Sequence, residues 1–244
     1  MTKPLSTTEV LATVVEQVAQ QVARATVVST SVARRAPSTP VTPTPVTPLR
    51  RRPSPTFATI TDDERMGLRI AIHEAGHAVA ATLLGGEIRA AVLGGGKTFG
   101  MLGKTVHRTV PTGGWASILY AGLWAEARFL AGGRPSARQL DAIMADTGHL
   151  DRGALCAAAA ANVHGDPSAE ARLTVPTLME RAWPSVVAVA QTIHRNGEAR
   201  HADVCKALGL PEGDQGGPGS AALVSIRAGL RAVPPIPKRV AQPA

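Results

Sequence analysis

His73 and His77 stand four residues apart in the stretch RIAIHEAGHAVAATLL, residues 69–84, and Glu74 directly follows the first of them. On an α-helix, residues four apart differ by about 40° around the axis and lie about 6 Å apart along it. Both imidazoles therefore face the same way and can take one metal ion between them. Glu74 sits about 100° further round, poorly placed as a third ligand but well placed to reach a water on that metal. Two imidazoles and a carboxylate beside a water are the equipment of zinc-dependent hydrolysis. Zinc acidifies the water, the glutamate takes its proton, and the oxygen attacks a polarised carbonyl. The competing reading is a solvated helix with a chance pair of histidines. The neighbours Ala75, Gly76, Ala78, Ala80 and Ala81 are small, so other segments can approach closely. A glycine inside a helix costs about 1 kcal/mol relative to alanine, which gives Gly76 a packing role.

A catalytic zinc takes three protein ligands and keeps one position open. Downstream candidates for the third are His107, Asp141, Asp146, His149, Asp151 and His164, and spacing alone does not choose among them. The elements that must bring them together can be read coarsely. TITDDERMGLRIAIHEAGHAVAATLLGG reads as one helix, with Thr61 and Glu64 in a capping-box pattern, acids in the first turn and Gly85-Gly86 as its stop. EIRAAVL and GKTVHRTV are candidate strands of a hairpin. GGWASILYAGLWAEARFLAGG is a second helix. SARQLDAIMADTGHLDRGALCAAAAANVHG reads as two helices broken near Thr147-Gly148. AEARLTVPTLMERAWPSVVAVAQTIHRNG and ARHADVCKALGL supply the last helical stretches. VLGGGKT at 92–98 mimics a phosphate-binding loop, but Ala91 stands where the first glycine should be, so a turn is expected there. Trp115, Tyr120, Trp124, Met144 and Met179 are expected in the core. His107, His164, His194 and His201 are expected on the surface, and Cys156 and Cys205 as buried reduced thiols.

Residues 1–56 carry seven basic and two acidic residues, for +5; residues 57–212 carry fifteen of each; residues 213–244 carry four basic and one acidic, for +3. The charge sits in the ends, and all seven aromatic residues fall in the neutral middle. That pattern predicts a core at 57–212 between disordered tails and no specific nucleic-acid reader. Residues 7–28 place Leu11, Val14, Val15, Val18 and Val22 at helical spacing, an amphipathic helix able to dock on a partner. Prolines at short intervals in 36–56 make an extended linker. The expected division is 1–56 helix plus linker, 57–212 folded domain, 213–244 disordered basic tail. No apolar run reaches transmembrane length and no secretory leader is read, so a cytoplasmic protein is expected.

Beyond spacing, HEAGHA resembles the peptidase domain of the FtsH-type, membrane-anchored ATP-dependent zinc proteases. YAGLWAEARFLAGG resembles that family's AGRAAEE helix followed by glycine. TGHLDRGALCAA resembles its (S/T)GAxxDLxxAT segment, whose aspartate is the third zinc ligand; the match falls on Asp151, 78 residues after His73. FGMLGKT resembles its ALGxT stretch beside the substrate cleft, and LMERAWPSVVAVAQTIHRNGEARHADVCKALG resembles its closing helices. The resemblance spans roughly residues 60–210. It implies a mainly α, zincin-like FtsH-type domain with a small β-hairpin, flanked by disordered tails. It further implies a zinc metalloendopeptidase with Zn2+ on His73, His77 and Asp151 and with Glu74 as general base. Glu126, of the family's Ala-Glu pair, would by the same resemblance lie near the zinc and hydrogen-bond a ligand histidine; the alternative is a glutamate on the helix surface. His149 is a neighbouring group or a rival ligand. No ATPase motor is read here, so the expected substrates are flexible or unfolded polypeptides, or a separate ATPase or scaffold docks through the N-terminal helix. The family's rings leave room for a homo-oligomer. Two alternatives stand beside this reading: a catalytically silent zinc-binding adaptor of the same fold, and a small regulatory HExxH peptidase with a different third ligand.

Overall fold

The computed structural model of the protein describes residues 61–96, 100–161 and 165–236. The expected N-terminal helix, the Pro-rich linker, Phe57 and His164 lie outside the described residues. The chain separates at Thr61–Asp62. The unit that begins at Asp62 is mainly helical, with eight helices and a small antiparallel sheet among the described residues.

The helix α1 (Asp62–Leu83) is the axis of this unit. Asp62, Asp63 and Glu64 fill its first turn, where the partial positive charge of the helix end favours anions. From Glu74 to Leu83 every residue is buried, so this half is enclosed on all sides rather than on one face. Alanine-rich sequence makes that enclosure feasible, because neighbouring backbones can come close. The helix ends at a glycine turn, with Gly85 at φ 91° and Gly86 N–H donating to the Ala81 carbonyl at 2.8 Å.

Strands β1 (Glu87–Gly96) and β2 (Gly100–Thr109) form the expected hairpin, with Ala91 opposite Thr105 and Leu93 opposite Gly103. The GGGK stretch therefore leads from one strand to the next and not into a helix, which leaves a phosphate loop without the helix end it needs. Helix α2 (Trp115–Ala131) comes next, then α3 (Ala137–Ala145), α4 (His149–Ala161), α5 (Pro167–Arg181) and α6 (Trp183–Asn196). Helix α3 is started by a capping box between Ser136 and Gln139, and the expected break between α3 and α4 falls at residues 146–148. Strand β3 (Glu198–Arg200) then pairs with β1, giving the sheet order β2-β1-β3, and leads into α7 (His201–Ala207). The expected hairpin is thus part of a three-stranded sheet. Three residues held by the left-handed Gly197, φ 78°, carry no alternation from which a strand could be read. Helix α1 packs on α2, α6, α7 and the hairpin. Arg128 ties α2 to α5 through two bonds to Glu180, at 3.1 and 2.9 Å, with its guanidinium 4.0 Å over the Trp183 ring.

The expectation of a disordered tail from 213 is corrected for residues 213–236. Helix α8 (Ala221–Ala228) begins at Ser220, whose hydroxyl accepts from Leu223 N–H at 3.2 Å and donates to Asp214 at 2.6 Å. Leu223, Ile226 and Val233 are buried, and Arg227 donates to the Leu83 carbonyl at the open end of α1. An eight-residue helix in Gly/Pro-rich surroundings carries too little apolar periodicity to be seen in sequence, yet its apolar side chains help to close the core. Two further corrections concern single residues. Trp115 is 42 % exposed and Cys156 is exposed, because both sit near the start or on the outer face of their helices. Tyr120, Trp124, Met179 and Cys205 are buried as expected, and Met144 is half-buried. No helix among the described residues is long and apolar enough to cross a membrane.

Leu223→Ala is expected to destabilise the protein by about 2–5 kcal/mol, the range for emptying a buried leucine site, measured by urea unfolding of the full chain. An unchanged unfolding midpoint would return residues 213–236 to the status of a tail.

Candidate metal centre

His73 and His77 lie one turn apart on α1, and Asp151 reaches them from the first turn of α4. His73 Nε2 stands 2.8 Å from Asp151 Oδ2 and 3.0 Å from His77 Nε2, and His77 Nε2 stands 3.3 Å from the same carboxylate oxygen. Ligand atoms about 2.0–2.1 Å from a tetrahedral ion stand about 3.3 Å from one another. A metal ion therefore fits, with only a slight spreading of His73 from its neighbours. Among the described residues this is the one group of three or more His, Cys, Asp or Glu side chains that could hold a metal ion.

Each histidine is turned by the bond its other nitrogen makes. His77 Nδ1 donates to the Ile118 carbonyl at 2.8 Å, and His73 Nδ1 donates to Glu126 Oε2 at 2.8 Å, which leaves both Nε2 atoms for the metal. Glu126 is 1 % exposed. It is held there by three donors: His73, the Arg69 guanidinium at Oε1, and the Thr147 hydroxyl at 2.7 Å. Arg69 also donates to Asp146 at 3.1 Å and to the Thr147 hydroxyl at 3.0 Å. A Cβ on Gly122 of α2 would overlap the His77 imidazole, so that ring lies flat against the α2 backbone.

Burial opposes a charge on His73, but the carboxylates of Asp151 and Glu126 outweigh it and raise the imidazole to about 10. Burial likewise works against the charge on Asp151 and on Glu126, and bonds from the histidines hold both below the usual carboxylate range. The metal-free centre is thus a pair of carboxylates gripping a protonated His73, and a metal ion must take that proton's place.

Glu74 is buried beside the triad and is itself positioned. The Thr105 hydroxyl of β2 donates to Glu74 Oε2 at 2.6 Å and approaches the Glu74 carbonyl at 3.2 Å, and Gly103 sits against the same carboxylate with no space for a side chain. Gly103, Thr105 and His107 alternate along β2 and line one cleft of about 580 Å³ with the triad. Met66, Ile70, Trp115, Ile118 and Leu150 line the same cleft. His107 meets the Trp115 ring edge-on with centroids 5.4 Å apart, and burial, then the charge of His77, lowers it to about 4.

The structure thus brings together His73, Glu74, His77 and Asp151, with Glu126 behind His73 as expected. Of the other candidates for third ligand, His164 lies outside the described residues, and none of the rest joins the ligand group. His149 is exposed and donates from Nδ1 to the Asp146 carbonyl, Asp141 is exposed, and Asp146 is taken by Arg69. The expectation that His107 and His201 are surface residues is corrected: His107 lines the cleft, and His201 is buried with Nε2 donating to the Gln215 carbonyl at 2.7 Å. His194 is half-buried. Sequence reasoning misses Arg69 altogether; it places Thr105 only within FGMLGKT, the stretch whose resemblance implies a position beside the cleft, and His107 only among the candidates for third ligand. The period-2 row Gly103, Thr105, His107 and the four-residue step from Arg69 to His73 are the signals that carry them.

No protein-family model matches this chain, and no curated protein matches it.

Removal of one ligand in Asp151→Ala is expected to weaken divalent-metal binding more than about 100-fold, beyond the usual effect of a group that only supports a ligand, by competition with a coloured chelator. Metal uptake by the wild-type chain should release about one proton. Because His73 holds its proton up to about 10, affinity should rise about tenfold per pH unit from neutral pH toward that value and then level off. Calorimetry in buffers of different ionisation enthalpy reads the proton directly.

Proposed function

We propose that the protein is a zinc-dependent metallopeptidase with an FtsH-like zincin fold, acting on flexible or unfolded polypeptide. The observation that carries this reading is the junction of two clusters in one cleft. Three convergent ligand atoms, His73 Nε2, His77 Nε2 and Asp151 Oδ2, stand beside a buried carboxylate, Glu74, which is not among them. A purely structural zinc site is closed by a fourth protein ligand, and here, among the described residues, no fourth His, Cys, Asp or Glu joins the three, which line the cleft. The donor set of two imidazoles and one carboxylate suits zinc. The HEAGHA, AGLWAEA and TGHLD resemblances in the sequence point the same way.

Zinc held there would supply a Lewis acid that polarises a carbonyl and acidifies a water. The remaining work belongs to the chain. His77 is fixed by the Ile118 carbonyl and His73 by Glu126, so each ring already turns its Nε2 toward the site. Thr105 holds one oxygen of Glu74, leaving the carboxylate oriented to accept a proton from water and pass it to the leaving amine. The apolar wall of Met66, Ile70, Trp115 and Leu150 favours an extended segment whose apolar side chains are already free of their own fold.

Glu74→Gln removes the proton acceptor while leaving all three ligands. It should bind one zinc per chain with near wild-type affinity and cleave an unfolded, fluorescently quenched polypeptide about 10²–10⁴-fold more slowly. Equal cleavage by the variant overturns the mechanism. Full zinc occupancy with no cleavage by the wild-type chain favours a silent zinc-binding adaptor of the same fold.

A further inference from the structure

The third ligand rides on a thinly packed arm of the described structure. Between Ala137 and Ala160 only Leu140, Ile143, Gly148 and Leu155 are buried, whereas α1 is buried without a break from Glu74 to Leu83. So small an apolar footing gives this α3–α4 arm little reason to stay docked. Yet Asp151 must hold its place to a few tenths of an ångström to share a metal ion with two histidines on another element.

The contacts at the turn of the arm are polar, and one side chain makes most of them. Arg69 lies one helical turn before His73 on α1. Its Nε donates to buried Glu126 on α2, and its Nη2 donates to Asp146 Oδ2 at 3.1 Å and to Thr147 Oγ1 at 3.0 Å on the α3–α4 turn. Thr147 closes the ring by donating to the same Glu126 oxygen at 2.7 Å. Gly148 then packs against the Leu123 side chain of α2, which a Cβ at that position would displace. Helix α4 starts at His149 and presents Asp151 in its first turn. A planar guanidinium has donors on two edges and can serve α2 and the turn at once; a lysine ammonium is a point charge and cannot span both with the same geometry.

We propose that Arg69 is a positioning residue: it latches the α3–α4 turn to α1 and α2 and so sets Asp151 in register with His73 and His77. The latch is a property of the metal-free chain. Its effect on metal affinity rests on the reading of the triad as a metal centre.

Two readouts on the full chain separate these layers. In metal-free Arg69→Met, hydrogen exchange of residues 142–155 should accelerate at least about tenfold, while the buried amides of 75–83 and 118–125 keep their wild-type rates. In a cobalt(II) titration the same variant should bind about 10–100-fold more weakly, with a visible d–d spectrum that departs from wild type because Asp151 is no longer held. Arg69→Lys should fall between the two. General destabilisation would instead speed exchange everywhere and leave the spectrum of the bound fraction unchanged, which overturns the proposal. Unchanged exchange in 142–155 overturns it as well. A wild-type chain that takes up no cobalt, with the arm still released in Arg69→Met, supports the latch and overturns the metal reading. Should Arg69→Met fail to fold, Thr147→Val, which removes one hydroxyl from the same ring, is expected to give the same pattern at smaller amplitude, and its absence overturns the proposal.

Discussion

Backbone-to-backbone contact between α1 and α2 sets the geometry of everything around the triad. A Cβ on Gly76 would stand 2.7 Å from the Ala121 carbonyl and 2.8 Å from the Ala125 methyl, and one on Gly122 would overlap the His77 ring. With both positions bare, Ile118, Gly122 and Glu126, spaced by one turn each, run alongside Arg69, His73 and His77, spaced likewise. Two ladders of period four thus meet rung to rung. His77 finds the Ile118 carbonyl, while His73 and Arg69 find Glu126. Added bulk at this crossing would separate the helices and leave both imidazoles without the acceptors that turn them.

Electrostatics depends on that contact. Glu126 is a carboxylate taken almost wholly out of water, a state that is costly unless its oxygens are met by charge and hydrogen-bond donors. Arg69, His73 and Thr147 meet them. Asp151 supplies a second carboxylate on the other side of His73. The two anions make the pocket attractive to a proton or a metal ion and set the two in competition for His73 Nε2. Glu74, held by Thr105 of the hairpin, adds its charge to that of the two anions.

Much of this was legible in the sequence, for identifiable reasons. The step of four between His73 and His77 is geometry that any helix imposes, and the position of Glu74 comes from the same period. The hairpin and the break at 146–148 are marked by alternation and by a Thr-Gly turn. Other features leave weaker traces. Spacing could not choose among six candidates for the third ligand; Asp151 emerged from resemblance, and in the structure it is the candidate whose carboxylate meets both histidines. Arg69 shares the face of His73 by a step of four, but nothing in the sequence singles it out until α2 and the α3–α4 turn are brought beside it. His107 reads as a surface histidine until Trp115 closes over it. Helix α8 hides in a Gly/Pro-rich context, and β3 is too short to show a period.

What the sequence determined by itself is local: which residues share a helix face, where helices stop, and that a short stretch carries two histidines and a glutamate at a spacing suited to two ligands and a base. These features come from dihedral preferences and from the periods of helix and strand, which act over a few residues. What only the tertiary structure decided is convergence: that Asp151, Glu126, Thr105 and Arg69, drawn from four different elements, close around one pair of histidines. That outcome depends on how near two backbones can come at Gly76 and Gly122 and on which buried charges must then be neutralised. Contacts across 78 residues of chain are set by packing and desolvation, and neither has a period that a sequence can display.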